Sequence, residues 1–127
     1  DITIDILIGD ARETLKEWQE NFFHAIYQDP FSPKKNPSLW TVEWFELLQK
    51  LSHQEVIMST YSASVSVRKA MLEAGWHPSA LTGFAGKRER TKATLVGPVD
   101  EKLEKRLRAS RADALRDQAI SSIIKKD

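Results

Sequence analysis

Segments of period-two apolarity and segments of helical periodicity alternate along this chain, and that alternation restricts its fold more than any other feature. "DITIDILIGD", residues 1–10, puts Ile2, Ile4, Ile6 and Ile8 on one face, which predicts a strand ended by Gly9. "ARETLKEWQE" sets Leu15 and Trp18 on a helical stripe, with Asp10 as N-cap and Glu13 three residues further on. "HAIYQD" predicts a second strand, short and apolar in the manner of a buried parallel strand. Thr41 caps a helix, "VEWFELLQKL", whose inner face is Trp44, Phe45, Leu47, Leu48 and Leu51. "EVIMSTY" is a third strand, and "SASVSVRKAMLEAG" a helix closing on Gly75, where a left-handed residue is wanted. "WHPSALTG" and "RTKATLV" predict two more strands, and the chain from Pro98 onward predicts one charged helix.

Strands separated by helices make βα units and a mostly parallel sheet. Only a loop joins the last two strands, so they are expected to be antiparallel. Two units follow: an α/β unit over residues 1–97 and a helical extension over 98–127. At 127 residues, 41% hydrophobic and 29% charged, the chain can bury a core. With no cysteine it has neither disulfides nor thiolate metal ligands, and a reducing compartment is permitted. No apolar run approaches the ~20 residues of a membrane span. A net charge of +1 gives no global pull on nucleic acid, so any such attraction must be local. His24, His53 and His77 lack metal-ligand spacing.

The stretch "YQDPFSPKKNPSLW" invites a chemical reading. A strand ends on Asp29, and Pro30, Pro33 and Pro37 then stiffen the next ten residues. Such a loop loses little entropy on folding and holds its side chains where the chain puts them. Asp29 is therefore either an ordinary strand-end residue or a carboxylate at a reaction centre, since ligands of open α/β sheets bind off the carboxyl ends of strands. Phe31 and Trp40, in and beside the loop, are candidate stacking surfaces; Trp44 and Tyr61 read first as core. Lys34, Lys35, Lys87, Arg88, Arg90 and Lys92 are solvated cations or a local phosphate-binding surface.

Three blocks, "DPFSPKKNPSLW", "TYSASVSVRKAMLEAGW" and "GFAGKRE", occur in an order and at spacings that resemble the methyltransferases completing 5-methylaminomethyl-2-thiouridine at the tRNA wobble position. The likeness spans roughly residues 3 to 96, and Arg90 departs from it, standing where a methionine commonly follows Lys-Arg-Glu. The resemblance implies a class I, Rossmann-like methyltransferase sheet, with S-adenosylmethionine as cofactor and the tRNA anticodon region as partner. It also implies a cytoplasmic protein with no membrane attachment. Asp29 becomes the catalytic acid that holds and deprotonates the acceptor amine. Gly9, Asp10, Ala11 and Pro30 become cofactor contacts, Asp10 accepting from the adenine amine as the alternative to its capping role. Phe31, Lys34, Lys35, Trp40, Lys87 and Arg88 become tRNA contacts. A flavin-dependent oxidase domain is fused to some members, and nothing in this sequence encodes one.

The glycines are Gly9, Gly75, Gly83, Gly86 and Gly97, and none forms the glycine-rich turn with which class I methyltransferases hold their cofactor. "ILIGDA" resembles a later segment of that fold, so the sequence is expected to begin near its third strand. Two expectations follow for the chain alone: poor cofactor binding, and a first strand that pairs directly with "HAIYQD", swaps with another copy or requires a missing N-terminal half. The rival reading is a non-catalytic remnant that serves as an RNA-binding or protein-interaction module.

Overall fold

The computed structural model describes residues 1–83, 85 and 88–124. Strands β1 (Phe23–Tyr27), β2 (Ser52–Thr60), β3 (His77–Leu81) and β4 (Arg90–Thr94) form one sheet in the order β1-β2-β4-β3. β1 and β2 are parallel, whereas β4 runs antiparallel to both of its neighbours. Because β4 is the reversed strand, β1, β2 and β3 all point the same way, as the alternation of strands and helices requires. The α-helices among the described residues are α1 (Ala11–Thr14), α2 (Val42–Lys50), α3 (Val65–Glu73), α4 (Glu101–Ala109) and α5 (Asp117–Ile124).

The core lies on one face of the sheet. Val56 and Met58 of β2 and Ala93 of β4 meet Val42, Phe45 and Leu48 of α2 and Val67, Ala70 and Met71 of α3. α2 starts where Thr41 Oγ1 accepts from the Trp44 amide at 3.0 Å, and α3 starts where Ser64 Oγ accepts from Val67. α3 stops at Gly75, whose φ of +97° is the left-handed turn that glycine adopts without strain. Trp76 then enters the core, fully buried, and its indole N–H donates to the Phe45 carbonyl at 2.9 Å. On the opposite face the registers align Tyr27, Ser59, Lys92 and Ser79 in a row across the sheet.

The outer edge of β3 is protected. The Ala80 N–H points away from β4 and donates to Asp100 Oδ2 at 3.1 Å. Pro78, two residues earlier, therefore turns its nitrogen to the same outer edge, where no ladder hydrogen bond is lost. Asp100 also caps α4, accepting from Leu103 at 3.0 Å. These amide donors hold its carboxyl below the ordinary range, the Leu103 bond being the larger cause.

Four expectations need correction. Residues 1–8 form no strand and pair with nothing among the described residues; Ile2, Ile4, Ile6 and Ile8 are exposed. Period-two apolarity defines a face, but a strand also needs a neighbour with free hydrogen-bonding groups. β1 is accordingly an edge strand whose residues are largely exposed, not a buried one. The helix expected over residues 11–20 is one α turn followed by a 3-10 turn, Leu15–Glu17, that ends before Trp18. The single C-terminal helix is two, because α4 ends at Ser110 and residues 110–116 run as a strap across α3 and α2. Lys69 Nζ donates to the Ser110 and Ala112 carbonyls, each at 2.9 Å, and Ser66 Oγ to the Asp113 carbonyl at 2.6 Å. The Leu115 carbonyl accepts from the first amide of α2. Those backbone groups are satisfied from outside, so the strap needs no helix of its own.

Candidate active site

The ladder between β1 and β2 aligns Tyr27 with Ser59, and the Gln28 amide extends it by donating to the Ser59 carbonyl at 2.9 Å. Asp29 is the first residue beyond, at the carboxyl end of β1. Its side chain is exposed and makes no hydrogen bond or ion pair with a described residue. It opens on a recess of about 140 Å³ whose other walls are Tyr27, Ser59, Thr60, Tyr61 and Arg90. The reversed direction of β4 explains Arg90: Thr91 pairs with Thr60, so the start of β4 lies beside the end of β2. Tyr27 and Tyr61 are 82% and 77% exposed, which leaves two ring faces free at one end of the sheet.

The proline loop is anchored as well as stiff. Gln28 is buried and uses both ends of its amide: Nε2 donates to the Leu39 carbonyl at 2.6 Å, and Oε1 accepts from Trp44 Nε1 at 3.3 Å. The Lys35 and Asn36 amides donate to the Ser32 carbonyl, and Pro37–Leu39 forms a 3-10 turn. Phe31, Lys34 and Lys35 are exposed on this loop. Trp40 is not an open stacking surface. It is 3% exposed within the core, and its indole N–H donates to the Phe31 carbonyl at 2.8 Å, which ties one end of the loop to the other.

On the far side of the recess, Arg68 reaches out of α3. Its side chain is almost wholly buried and donates to Thr91 Oγ1 at 2.8 Å, Glu89 Oε1 at 2.7 Å and the Arg90 carbonyl at 3.2 Å. Arg88 is exposed beside it, bordering a hollow with Tyr61, Ser62 and Ser64. Lys87 lies outside the described residues. Lys34, Lys35 and Arg88 form no ion pair with a described residue. Lys92 sits within β4, half-buried between Ser59 and Ser79. Neither Gln28 nor Arg68 stood out in the sequence as a site residue: each has a charged neighbour, Asp29 and Lys69, and no local pattern marks it.

The proposed cofactor end is partly built. Gly9 has a φ of +133°, and a Cβ there would meet Thr14 Cγ2 at 3.3 Å. Asp10 caps α1: Oδ1 accepts from the Arg12 amide at 3.0 Å and from its Nε at 3.2 Å, and Oδ2 accepts from Nη2 at 2.9 Å. The Arg12 side chain, followed by its amide, holds the Asp10 carboxyl below its usual range. Of roughly four lone-pair positions on a carboxylate, three are thus taken and one on Oδ2 remains. Ala11 and Leu7 line an apolar hollow of about 300 Å³ together with Ala25, Tyr27 and Gln28, so this segment lies against β1. Pro30, half-buried, directly follows Asp29. These residues fit one end of an adenosyl group, but among the described residues no glycine-rich turn cradles the rest. No group of three or more metal-binding side chains is found among the described residues, and no described helix is long and apolar enough to cross a membrane.

A sheet with this strand order, with an acid at the carboxyl end of its parallel pair, is that of a Rossmann-like methyltransferase. A family model described as S-adenosyl-L-methionine-dependent methyltransferase matches residues 1–96, and the chain belongs to that family. Among curated relatives, the tRNA 5-methylaminomethyl-2-thiouridine biosynthesis bifunctional protein MnmC of Pseudomonas putida (strain GB-1) is 35% identical over 77% of this chain. Its counterpart in Burkholderia pseudomallei (strain K96243) is 40% identical over 76% of the chain. This chain spans only 15% and 14% of those proteins. A crystal structure of MNMC2 from Aquifex aeolicus superposes with a TM-score of 0.78 at 37% identity, covering 91% of this chain and 39% of that one. That superposition therefore extends past residue 96 into the C-terminal extension.

Proposed function

We propose that this chain is the acceptor-binding part of a tRNA N-methyltransferase acting on the 5-aminomethyl group of wobble 2-thiouridine. The observation that carries the reading is Asp29: an unpartnered carboxylate at the carboxyl end of β1, in a recess with two exposed tyrosine rings. The relatives' names and the family matched by residues 1–96 support it.

S-adenosylmethionine, when bound, supplies a methyl group on a positively charged sulfur. Gly9, Asp10, Ala11 and Pro30 would hold its adenosyl end, Asp10 with its remaining lone pair and Ala11 with its amide. Asp29 does the work on the acceptor. A primary amine is mostly protonated near neutrality and has no lone pair to offer in that state. Asp29 attracts the ammonium, accepts its proton at a carboxylate oxygen and orients the freed nitrogen. The anchored loop keeps that oxygen in place. Phe31, Lys34, Lys35, Lys87 and Arg88 are the proposed contacts to the anticodon region. The cations act through phosphates, and Phe31 through stacking on a splayed base. Trp40 supports the loop from within.

The test is Asp29→Ala in the full-length gene product. Turnover should fall ~10²–10⁴-fold, with cofactor affinity nearly unchanged. Wild-type turnover would remove Asp29 from the chemistry. The second reading, a non-catalytic RNA-binding module, is favoured by one observation: Arg12 already occupies most of the Asp10 carboxylate. Assaying S-adenosylmethionine-dependent methylation of tRNA by the full-length gene product separates the two. Turnover that Asp29→Ala abolishes rules out the module; tRNA binding without turnover supports it.

A further inference from the structure

The buried guanidinium of Arg68 is expensive to place. Burying a charge costs free energy unless it is paired and hydrogen-bonded, and a well-packed apolar side chain on this face of α3 would stabilise the fold at least as well. Its neighbours Val67, Ala70 and Met71 are such side chains. The charge is spent on a specific object. Its three described bonds go to three consecutive residues, Glu89, Arg90 and Thr91. The bond network then continues: Thr91 Oγ1 donates to the Ser62 carbonyl at 2.6 Å. Because the hydroxyl accepts from Arg68, its single proton is directed to Ser62.

Two segments are thereby joined, the turn after β2 and the approach to β4. Each contributes a wall to the recess of Asp29: Tyr61 from the first segment and Arg90 from the second. The same two segments border the adjoining hollow, with Tyr61 and Ser62 on one side and Arg88 and Glu89 on the other. No other side-chain hydrogen bond among the described residues connects them.

We infer that Arg68 is a positioning residue for the acceptor side of the site, acting through Thr91 and Glu89 to hold Tyr61, Arg88 and Arg90 at a fixed distance from Asp29. The inference rests on the reading of the Asp29 recess as the reaction site. It predicts a particular kinetic signature. Asp29 acts on the reacting nitrogen, so its loss lowers kcat. The Arg68 network acts on how the nucleotide is gripped, so its loss raises KM for tRNA with little change in kcat.

The experiment uses the full-length gene product with tRNA bearing 5-aminomethyl-2-thiouridine, and compares Thr91→Val, Thr91→Ser, Glu89→Gln and Asp29→Ala. Thr91→Val keeps volume and removes the hydroxyl, whereas Thr91→Ser restores it. Glu89→Gln, at a half-exposed position, weakens the ion pair without disturbing the core. Thr91→Val should raise KM for tRNA roughly tenfold or more with kcat little changed, Thr91→Ser should recover wild-type KM, and Glu89→Gln should fall between them. Amide exchange at residues 61–64 and 88–91 should quicken in Thr91→Val and Glu89→Gln alone. Should Thr91→Val fail to fold, the Glu89→Gln KM and exchange decide. A lowered melting temperature with unchanged KM would show a purely structural network and overturn the inference. Unchanged turnover in Asp29→Ala would instead overturn the reading of the recess, and this inference with it.

Discussion

Replacing Gln28 with leucine tests how the rigid loop beside Asp29 is held. The amide can sit only one way round, because Trp44 Nε1–H can only donate and the Leu39 carbonyl can only accept. Leucine has similar bulk and neither function, so it leaves a donor and an acceptor without partners at a buried position. A stranded buried polar group costs about 1–3 kcal/mol. The Trp44 bond, long at 3.3 Å, belongs near the lower end, and the 2.6 Å bond to Leu39 higher, less what water recovers at the loop. The sum is about 2–4 kcal/mol, reduced somewhat by the added apolar burial of leucine. Urea unfolding of the chain should show a lower midpoint at unchanged slope. Amides of residues 31–40 should exchange faster than those of α2 and α3. Gln28→Glu should be no better, since its carboxylate would face the Leu39 carbonyl. A Gln28→Leu loss below about 0.5 kcal/mol, the level of an indifferent surface change, would refute the anchoring role.

Asp100→Ala should cost about 1–2 kcal/mol, the value of a lost helix cap, and should loosen the outer edge of β3 as judged by exchange at Ala80. Because the folded carboxyl is held below its ordinary value of 3.8, its contribution is present above that pH and lost as pH falls through the folded value. The variant should therefore lack part of the acid unfolding that wild type shows there. Gly75→Ala should cost about 1–2 kcal/mol in thermal or urea unfolding, all of it backbone strain at φ +97°, since a Cβ there meets nothing within 4 Å. Lys69→Met should leave the Ser110 and Ala112 carbonyls without their donor. Limited proteolysis should then cut within 110–116 well before the sheet is attacked.

The sequence made plain the elements whose ends carry local chemistry. Thr41 caps α2, Gly75 closes α3, and the alternation between them placed β2, β3 and β4. It also singled out Asp29, because a carboxylate followed by three prolines is locally unusual. Pairing was legible only for β3 and β4, which a single loop joins; that of the first segment was not. "DITIDILIGD" has the right period, but nothing in its ten residues says whether a partner strand is present. The break at Ser110 was obscured by the charge pattern, although Ser110 and Asp113 are turn-forming residues. Ser110 Oγ does accept from the Ala112 amide, at 3.1 Å. Trp40 was misread because an aromatic in a proline loop looks exposed; the fold instead turns the loop inward around its indole. Gln28 and Arg68 were passed over because their partners lie 11 or more residues away, beyond any local pattern.

The position of β4 bears on how the chain finds its fold. β4 lies between β2 and β3, yet it is the last of the four strands to be made. When β3 appears, β2 still has a free edge, and α3 is already the crossover with which a chain would lay β3 directly beside β2 in parallel. That arrangement competes with the native one until β4 arrives. The β3–β4 hairpin closes over a short connection, so it forms locally and then docks as a unit, β4 inward. During synthesis the exposure is brief: β4 follows β3 by about a dozen residues, on the order of a second at ~5–20 residues per second. Refolding from denaturant has no such order of appearance, and there the premature β2–β3 pairing is the kinetic trap this topology carries.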